Sequence, residues 1–214
     1  MAVSADDVLA SARRLLQDES SVVQRYSSGE MLAALNEGQR AIVLMRHSAN
    51  TKVVAFKLSG GARQSLPEDG VAFFRLLRNL GADGATPGRA ITGTTVEYLD
   101  LADPDWYVAA DATRVWQFAA DDRDDLAFYV WPPKKDDYVE LMYGAVPEEV
   151  TSEDDITLPD MWAAALADYI VYRMLAADTD NVANKERSEN AYQHFVAQVS
   201  GKVHAEATEP AGVM

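Results

Sequence analysis

The sequence predicts an α+β fold: a helical bundle, with two helices from the N-terminal part and two from the C-terminal part, enclosing a small antiparallel β region. Three observations predict it. Apolar residues recur at helical spacing near both ends of the 214-residue chain. After His47-Ser48-Ala49-Asn50 the period changes to two in several short runs punctuated by Gly and Pro, as far as Pro147. The segment 158–177, LPDMWAAALADYIVYRMLAA, is apolar around nearly its whole circumference, so as a helix it needs neighbours on more than one side. Helix pairs around a β insertion make an α+β domain over 1–200, with helices at about 5–47 and 158–200, the insertion at about 52–147, and 201–214 as a flexible tail.

The first helix starts at Ser4, which with Asp7 resembles a capping box, and Val8, Leu9, Ala12, Leu15 and Leu16 carry its apolar period over about 5–18. A polar bridge follows and ends in a second capping box, Ser27 with Glu30. Met31, Leu32, Leu35, Ile42 and Val43 mark the second helix, reaching roughly Arg46; its polar middle, 36–40, predicts a helix lying on a surface. Residues 53–58 read as a strand ended by Ser59-Gly60-Gly61. The run VAFFRLLRNL from Val71 suits a buried strand at 71–77, although its period is equally helical. A loop with Gly81, Gly84, Pro87 and Gly88 precedes a short helix at 95–101, ended by Pro104-Asp105-Trp106. Three further strands, 114–119, 126–131 and 138–145, are spaced like a meander.

In the C-terminal pair, Pro159 suits a first helical position, having no N–H to orphan, and Asp160 meets the positive helix end. Trp162, Leu166 and Ile170 are the expected core anchors of this helix. Asp168 and Arg173 interrupt it five residues apart, too far round to face each other. If buried, each needs a partner from another helix or another copy of the chain. A membrane span is excluded: the apolar window falls short of about 20 residues, and a central Asp and Arg would each cost roughly 3 kcal/mol in a bilayer.

Composition narrows the function. The chain has no cysteine, which removes thiolate nucleophiles, disulfides and Cys-ligated zinc. Its start has neither a basic nor an apolar leader region, so the product is expected to stay in the cytosol where it is made. A formal charge of −15, from 34 acids against 19 Lys and Arg, repels phosphate backbones, and no basic stripe overrides this. Acid clusters at 121–125, 136–137 and 148–155 read chiefly as solvated loops.

No catalytic frame emerges. His47, His194 and His204 form no metal-binding pair at helical spacing, and there is no GxSxG elbow. Gly84-Ala85-Thr86-Pro87-Gly88-Arg89 has the wrong spacing, and Arg in place of Lys, for a phosphate loop; a turn is the better reading. The cluster 121–125 lacks the glycine and distal glutamate of a calcium loop. Phe128-Tyr129-Val130-Trp131 could stack bases, but with acids on both flanks a sheet core is the stronger reading. No cofactor or metal is expected.

Several phrases together resemble the head-to-tail adaptor (connector) proteins of tailed bacteriophages, in particular a group found in short-tailed phages. They are LNEGQRAIV at 35–43, QSLPEDGV at 64–71, FYVWPP at 128–133, VELMY at 139–143 with AVP at 145–147, LPD at 158–160, DYIVYR at 168–173 and YQHF at 192–195. All are packing or turn phrases, spread from about 30 to 200. The resemblance implies a non-enzymatic structural virion protein at the head–tail junction, assembled in the host cytoplasm. It implies a homo-oligomeric ring, commonly a dodecamer, docked on the portal protein, with a tail tube or nozzle protein on its other side. DNA would pass through the bore without sequence-specific binding. Asp168, Tyr172, Arg173 and Met174 are then candidates for a subunit or portal interface, and Glu148, Glu149, Glu153, Asp154 and Asp155 for bore-lining acids. Two other classes remain open: a small metal-assisted enzyme using Asp and Glu side chains, and a monomeric cytosolic binding domain.

Overall fold

The computed structural model describes residues 3–20, 24–108, 113–177 and 182–207, for 202–207 the backbone only. In chain order the elements are α1 (Ala5–Leu16), α2 (Ser28–Met45), β1 (Thr51–Ser59), β2 (Arg63–Ser65), β3 (Gly70–Gly81), β4 (Thr92–Gly93), α3 (Val96–Ala102), β5 (Gln117–Ala120), β6 (Ala127–Trp131), β7 (Lys135–Ala145), α4 (Ala163–Ala176) and α5 (Val182–Ala207). The fold class is α+β. The chain divides into a helical unit, 1–50 with 147–214, and a β unit, 51–146.

Helix starts in the helical unit follow local chemistry. Ser4 Oγ accepts from the Asp7 N–H at 3.1 Å, and at α2 both halves of the capping box form: Glu30 N–H to Ser27 Oγ at 3.2 Å, Ser27 N–H to Glu30 Oε2 at 3.0 Å. α1 ends at Leu16, where Gln17 turns left-handed at φ 60°. Pro159 is not the first residue of α4. It stays extended at φ −52°, ψ 146°, and its carbonyl accepts from Trp162 N–H to close a 3-10 turn over Asp160–Trp162 before α4 begins. Proline's missing N–H is harmless in either place, so the residue type alone did not decide between them.

α4 packs against α1, α2 and α5, three neighbours within one chain, which accounts for apolar residues all round it. Gly38 permits the α2 approach: a Cβ there would lie 3.0 Å from Tyr169 Cδ1 and 3.2 Å from Leu166 Cδ2. Against α5, Tyr169 meets Phe195 and Tyr172 meets Tyr192, each with ring centroids 4.9 Å apart. α5 continues through Gly201 to Ala207, beyond the limit of 200 set from sequence. The expected tail at 208–214 lies outside the described residues.

The polar middle of α2 does not face solvent as expected. Asn36 and Gln39 are buried, and they hold the segment before α4 like a strand partner. Asn36 Nδ2 donates to Val150 O and its Oδ1 accepts from Val150 N–H, both at 3.0 Å; Gln39 Oε1 accepts from Thr157 N–H at 2.8 Å and Leu158 N–H at 3.3 Å. Side-chain amides carry both a donor and an acceptor, so each can complete a backbone's pairing in a dry site.

The β unit has two sheets, ordered β1-β7-β3 and β2-β6-β5-β4. The region is not wholly antiparallel, since β4 and β5 pair parallel, and its last strands are not a meander. β5 and β6 pair, but β7 leaves them to lie between β1 and β3. Pro132-Pro133 supplies the physical reason, because two residues without N–H cannot continue a ladder into a tight hairpin. The ambiguous run from Val71 is strand β3. Its buried residues, Ala72, Leu76 and Leu80, fall four apart, an even spacing that one face of a strand gives and that also imitates a helical period; the register against β7 shifts repeatedly. Phe73 stacks on the fully buried Phe128 at 4.5 Å, between centroids, over a core that includes Leu58, Leu76, Val130, Val139 and Leu141. The amide of Asn79 works here as Asn36 does elsewhere, accepting from Val115 N–H at 3.0 Å and donating to Val115 O at 2.9 Å.

Candidate functional site

Leu166 and Ile170 are buried on α4 and Trp162 in the 3-10 turn just before it, with the Arg46 guanidinium carbon 5.7 Å from the centre of the Trp162 ring. The two charges of α4 find partners on other helices of the same chain. Arg173 pairs with Glu37 of α2, both side chains about 40% exposed (42% and 40%). Asp168 Oδ2 accepts from Gln198 Nε2 of α5 at 2.6 Å. Burial pushes the Asp168 carboxyl above its ordinary value, against the smaller opposing effects of the Gln198 hydrogen bond and His194. Burial likewise raises the Tyr169 phenol, helped by Glu37. Met174 is buried inside the unit, while Tyr172 is half-buried, its ring on Tyr192 and its carbonyl accepting from Ser188 Oγ.

The acids Glu148, Glu149, Glu153, Asp154 and Asp155 are all exposed, on the segment that Asn36 and Gln39 hold from beneath. Glu149 pairs with Arg40 at 2.8 Å, where both side chains are well exposed and the pair contributes little to stability. Asp154 Oδ2 accepts from Thr151 Oγ1 at 2.7 Å and Thr151 N–H at 2.8 Å, bonds that hold its carboxyl below its ordinary value. The segment is tied at its far end by Ala5 N–H to Asp154 O and Ile156 N–H to Val3 O. Five carboxylates are thus displayed on a framed loop.

The cluster 121–125 is used structurally. Asp124 pairs with Arg63 at 2.7 Å and accepts from Leu126 N–H; Asp121 accepts from Arg123 N–H and from the Tyr129 hydroxyl. Asp83 fills the loop once compared with a phosphate loop, accepting from Thr86 Oγ1 and the N–H groups of Ala85 and Thr86, and its carboxyl falls to about 2. Among the described residues no group of three or more His, Asp or Glu could hold a metal ion, and no helix is long and apolar enough to cross a membrane.

Sequence reasoning missed the exposed apolar side chains: Leu44 and Met45 at the end of α2, Met161 before α4 and Tyr192 on α5 in the helical unit, and Tyr98, Leu101 and Trp116 in the β unit. Leu44 and Met45 continue the apolar run of Ile42 and Val43, so nothing local marks them as exposed. Only the packing leaves them outside.

The family model described as SU10 adaptor protein matches residues 3–213, nearly the whole chain. No curated protein matches it.

Proposed function

The chain belongs to the SU10 adaptor family, a phage adaptor family rather than an enzyme family, and we propose that it is the ring-forming connector between portal and tail. In this reading copies of the chain, in a number such as twelve, close a ring on the portal protein, a tail tube or nozzle protein binds the other face, and DNA passes through the bore. The observation that carries it is the family match across both units. Closed rings use heterologous contacts, in which two different patches of one chain meet. The exposed Leu44, Met45, Met161 and Tyr192 supply apolar surface for such contacts, with Tyr172 beside Tyr192. Asp168 and Arg173, each bonded within the chain, are secondary candidates for such contacts.

The bore would be acidic. With a formal charge of −15 the chain repels DNA, and the framed loop of Glu148, Glu149, Glu153, Asp154 and Asp155 is the segment best suited to line a channel in which DNA slides.

The test is to mix the purified chain with its matching portal and image the product by electron microscopy. A ring of this chain stacked coaxially on the portal is expected. A chain that stays apart from an assembled portal would overturn the reading. Changing Glu148, Glu149, Glu153 and Asp154 to Lys should then slow or stall ejection in packaged particles; normal ejection would remove this loop from the bore.

A further inference from the structure

A cleft of about 540 Å³ lies in the β unit, walled by Tyr98 and Leu99 of α3 on one side and by Trp116 and Trp131 on the other. The two indoles meet edge to face at 5.4 Å, and Tyr98 and Trp116 remain 57% and 48% exposed. That exposure is unusual, because aromatic side chains of this size ordinarily bury most of their apolar area, and exposed clusters of them mark interaction surfaces. Leu101, on α3 as well, is 84% exposed.

Arg89 and Arg114 stand at the cleft, and both are exposed. Two other arginines of the unit are neutralised, Arg63 by Asp124 and Arg78 by Glu140. Among the described residues, the guanidinium groups of Arg89 and Arg114 have no ion pair or hydrogen bond. The indole N–H of Trp131, in the wall, is buried with no acceptor among the described residues. By charge the cleft is cationic, with the two guanidinium groups of Arg89 and Arg114 against one carboxylate. Its one carboxylate, Asp103, already accepts from Asp105 N–H. Arginine beside aromatic rings is also the composition that protein interfaces favour.

We propose that this cleft docks a short segment of a partner protein presenting one carboxylate between apolar side chains. Arg89 and Arg114 engage the carboxylate, while Tyr98, Trp116 and Trp131 take the apolar side chains. Charge selects such a segment over a nucleic acid. Glu97 and Asp100 on α3, with Asp103 and Asp105 just after it, place four acids within a few residues of the two arginines' cleft, so a chain of phosphates would meet repulsion beyond its first contact. A single carboxylate would not. The proposal goes beyond the connector reading and does not depend on ring formation, since the isolated chain suffices to test it.

The experiment is a titration of the full-length, ¹⁵N-labelled chain, following the indole N–H signals of its four tryptophans. The probe is an amidated seven-residue peptide with one glutamate between leucine and phenylalanine. It is compared with the same peptide carrying glutamine and with single-stranded oligothymidylate. The glutamate peptide should move the Trp116 and Trp131 signals and leave Trp162 still. Binding should weaken about tenfold for the glutamine peptide, and by a similar factor in R89Q/R114Q, with a further loss as salt rises. Both side chains are exposed, so the double variant should keep the rest of its spectrum; if it does not, the glutamine arm on the unaltered protein still decides. Unmoved signals, equal binding of the two peptides, or tighter binding of oligothymidylate would each overturn the proposal.

Discussion

The helical unit and the β unit solve the same problem, holding irregular backbone in a dry interior, with the same residue types but opposite legibility. In the helical unit the irregular backbone is the loop before α4, held by Asn36 and Gln39 across more than a hundred residues of sequence. In the β unit Asn79 holds Val115, and Gln64 closes the turn after β1 by accepting from Ser59 N–H at 2.9 Å and donating to Gly61 O at 2.9 Å. The helices that frame the first case are written locally, in caps and period. The strands that frame the second are set by pairing partners far away in the chain. A buried amide is thus a framing device in both units, and in neither does its own neighbourhood in sequence announce it.

The largest expected effect falls in the β unit. Phe128→Ala removes a fully buried ring that stacks on Phe73 and meets Phe56 edge-on, and should cost about 3–5 kcal/mol in urea unfolding. If amide exchange then accelerates only in 51–146, the two units unfold independently; acceleration everywhere would show one cooperative molecule. Leu166→Ala tests the helical unit in the same way and should cost roughly 2–5 kcal/mol, with α4 amides exchanging faster.

Gln39→Leu keeps volume and removes the acceptor of two backbone N–H groups, so a loss of about 1–3 kcal/mol is expected, together with faster exchange at Thr157 and Leu158. A loss without those local changes would assign Gln39 to packing alone and weaken the parallel with Asn79.

Arg173→Glu should cost less than about 1 kcal/mol in the isolated chain, because the Glu37 pair it breaks is well exposed. Losing a buried internal partner would cost several kcal/mol, and the exposure of this pair removes that cost. A melting temperature lowered as far as by Leu166→Ala would contradict it.

The smallest effect is a pH dependence. The Asp168 carboxyl is raised above an ordinary value near 3.8, so the folded state holds that proton to higher pH than the unfolded state does. This contribution to stability is present at low pH and lost as pH rises through the raised value. Asp168→Asn keeps an oxygen for Gln198 and lacks the loss, so it should be at least as stable as the parent at neutral pH and lose that advantage below about pH 4. Asp18 runs the other way: the Arg25 N–H leads in lowering its carboxyl, burial opposing, so its contribution is lost as pH falls. An asparagine variant less stable than the parent at pH 7 would show that the carboxylate charge itself is needed at this site.

By itself the sequence determined the caps at Ser4 and Ser27, the four helices and their apolar faces, the α+β class, and the resemblance to phage adaptors that the family match bears out. These are legible because capping and amphipathic period act within a few residues of chain. Tertiary structure decided the rest. It sent β7 between β1 and β3, made the ambiguous run from Val71 a strand with a shifting register, turned the polar middle of α2 inward, and gave Asp168 and Arg173 partners on α5 and α2. Each of these depends on which distant groups meet, and a polar or apolar residue carries no local mark of the partner that will satisfy it. The same reason hides the exposed aromatic cleft beside Arg89 and Arg114, whose residues are ordinary one by one and acquire meaning only where the fold places them together.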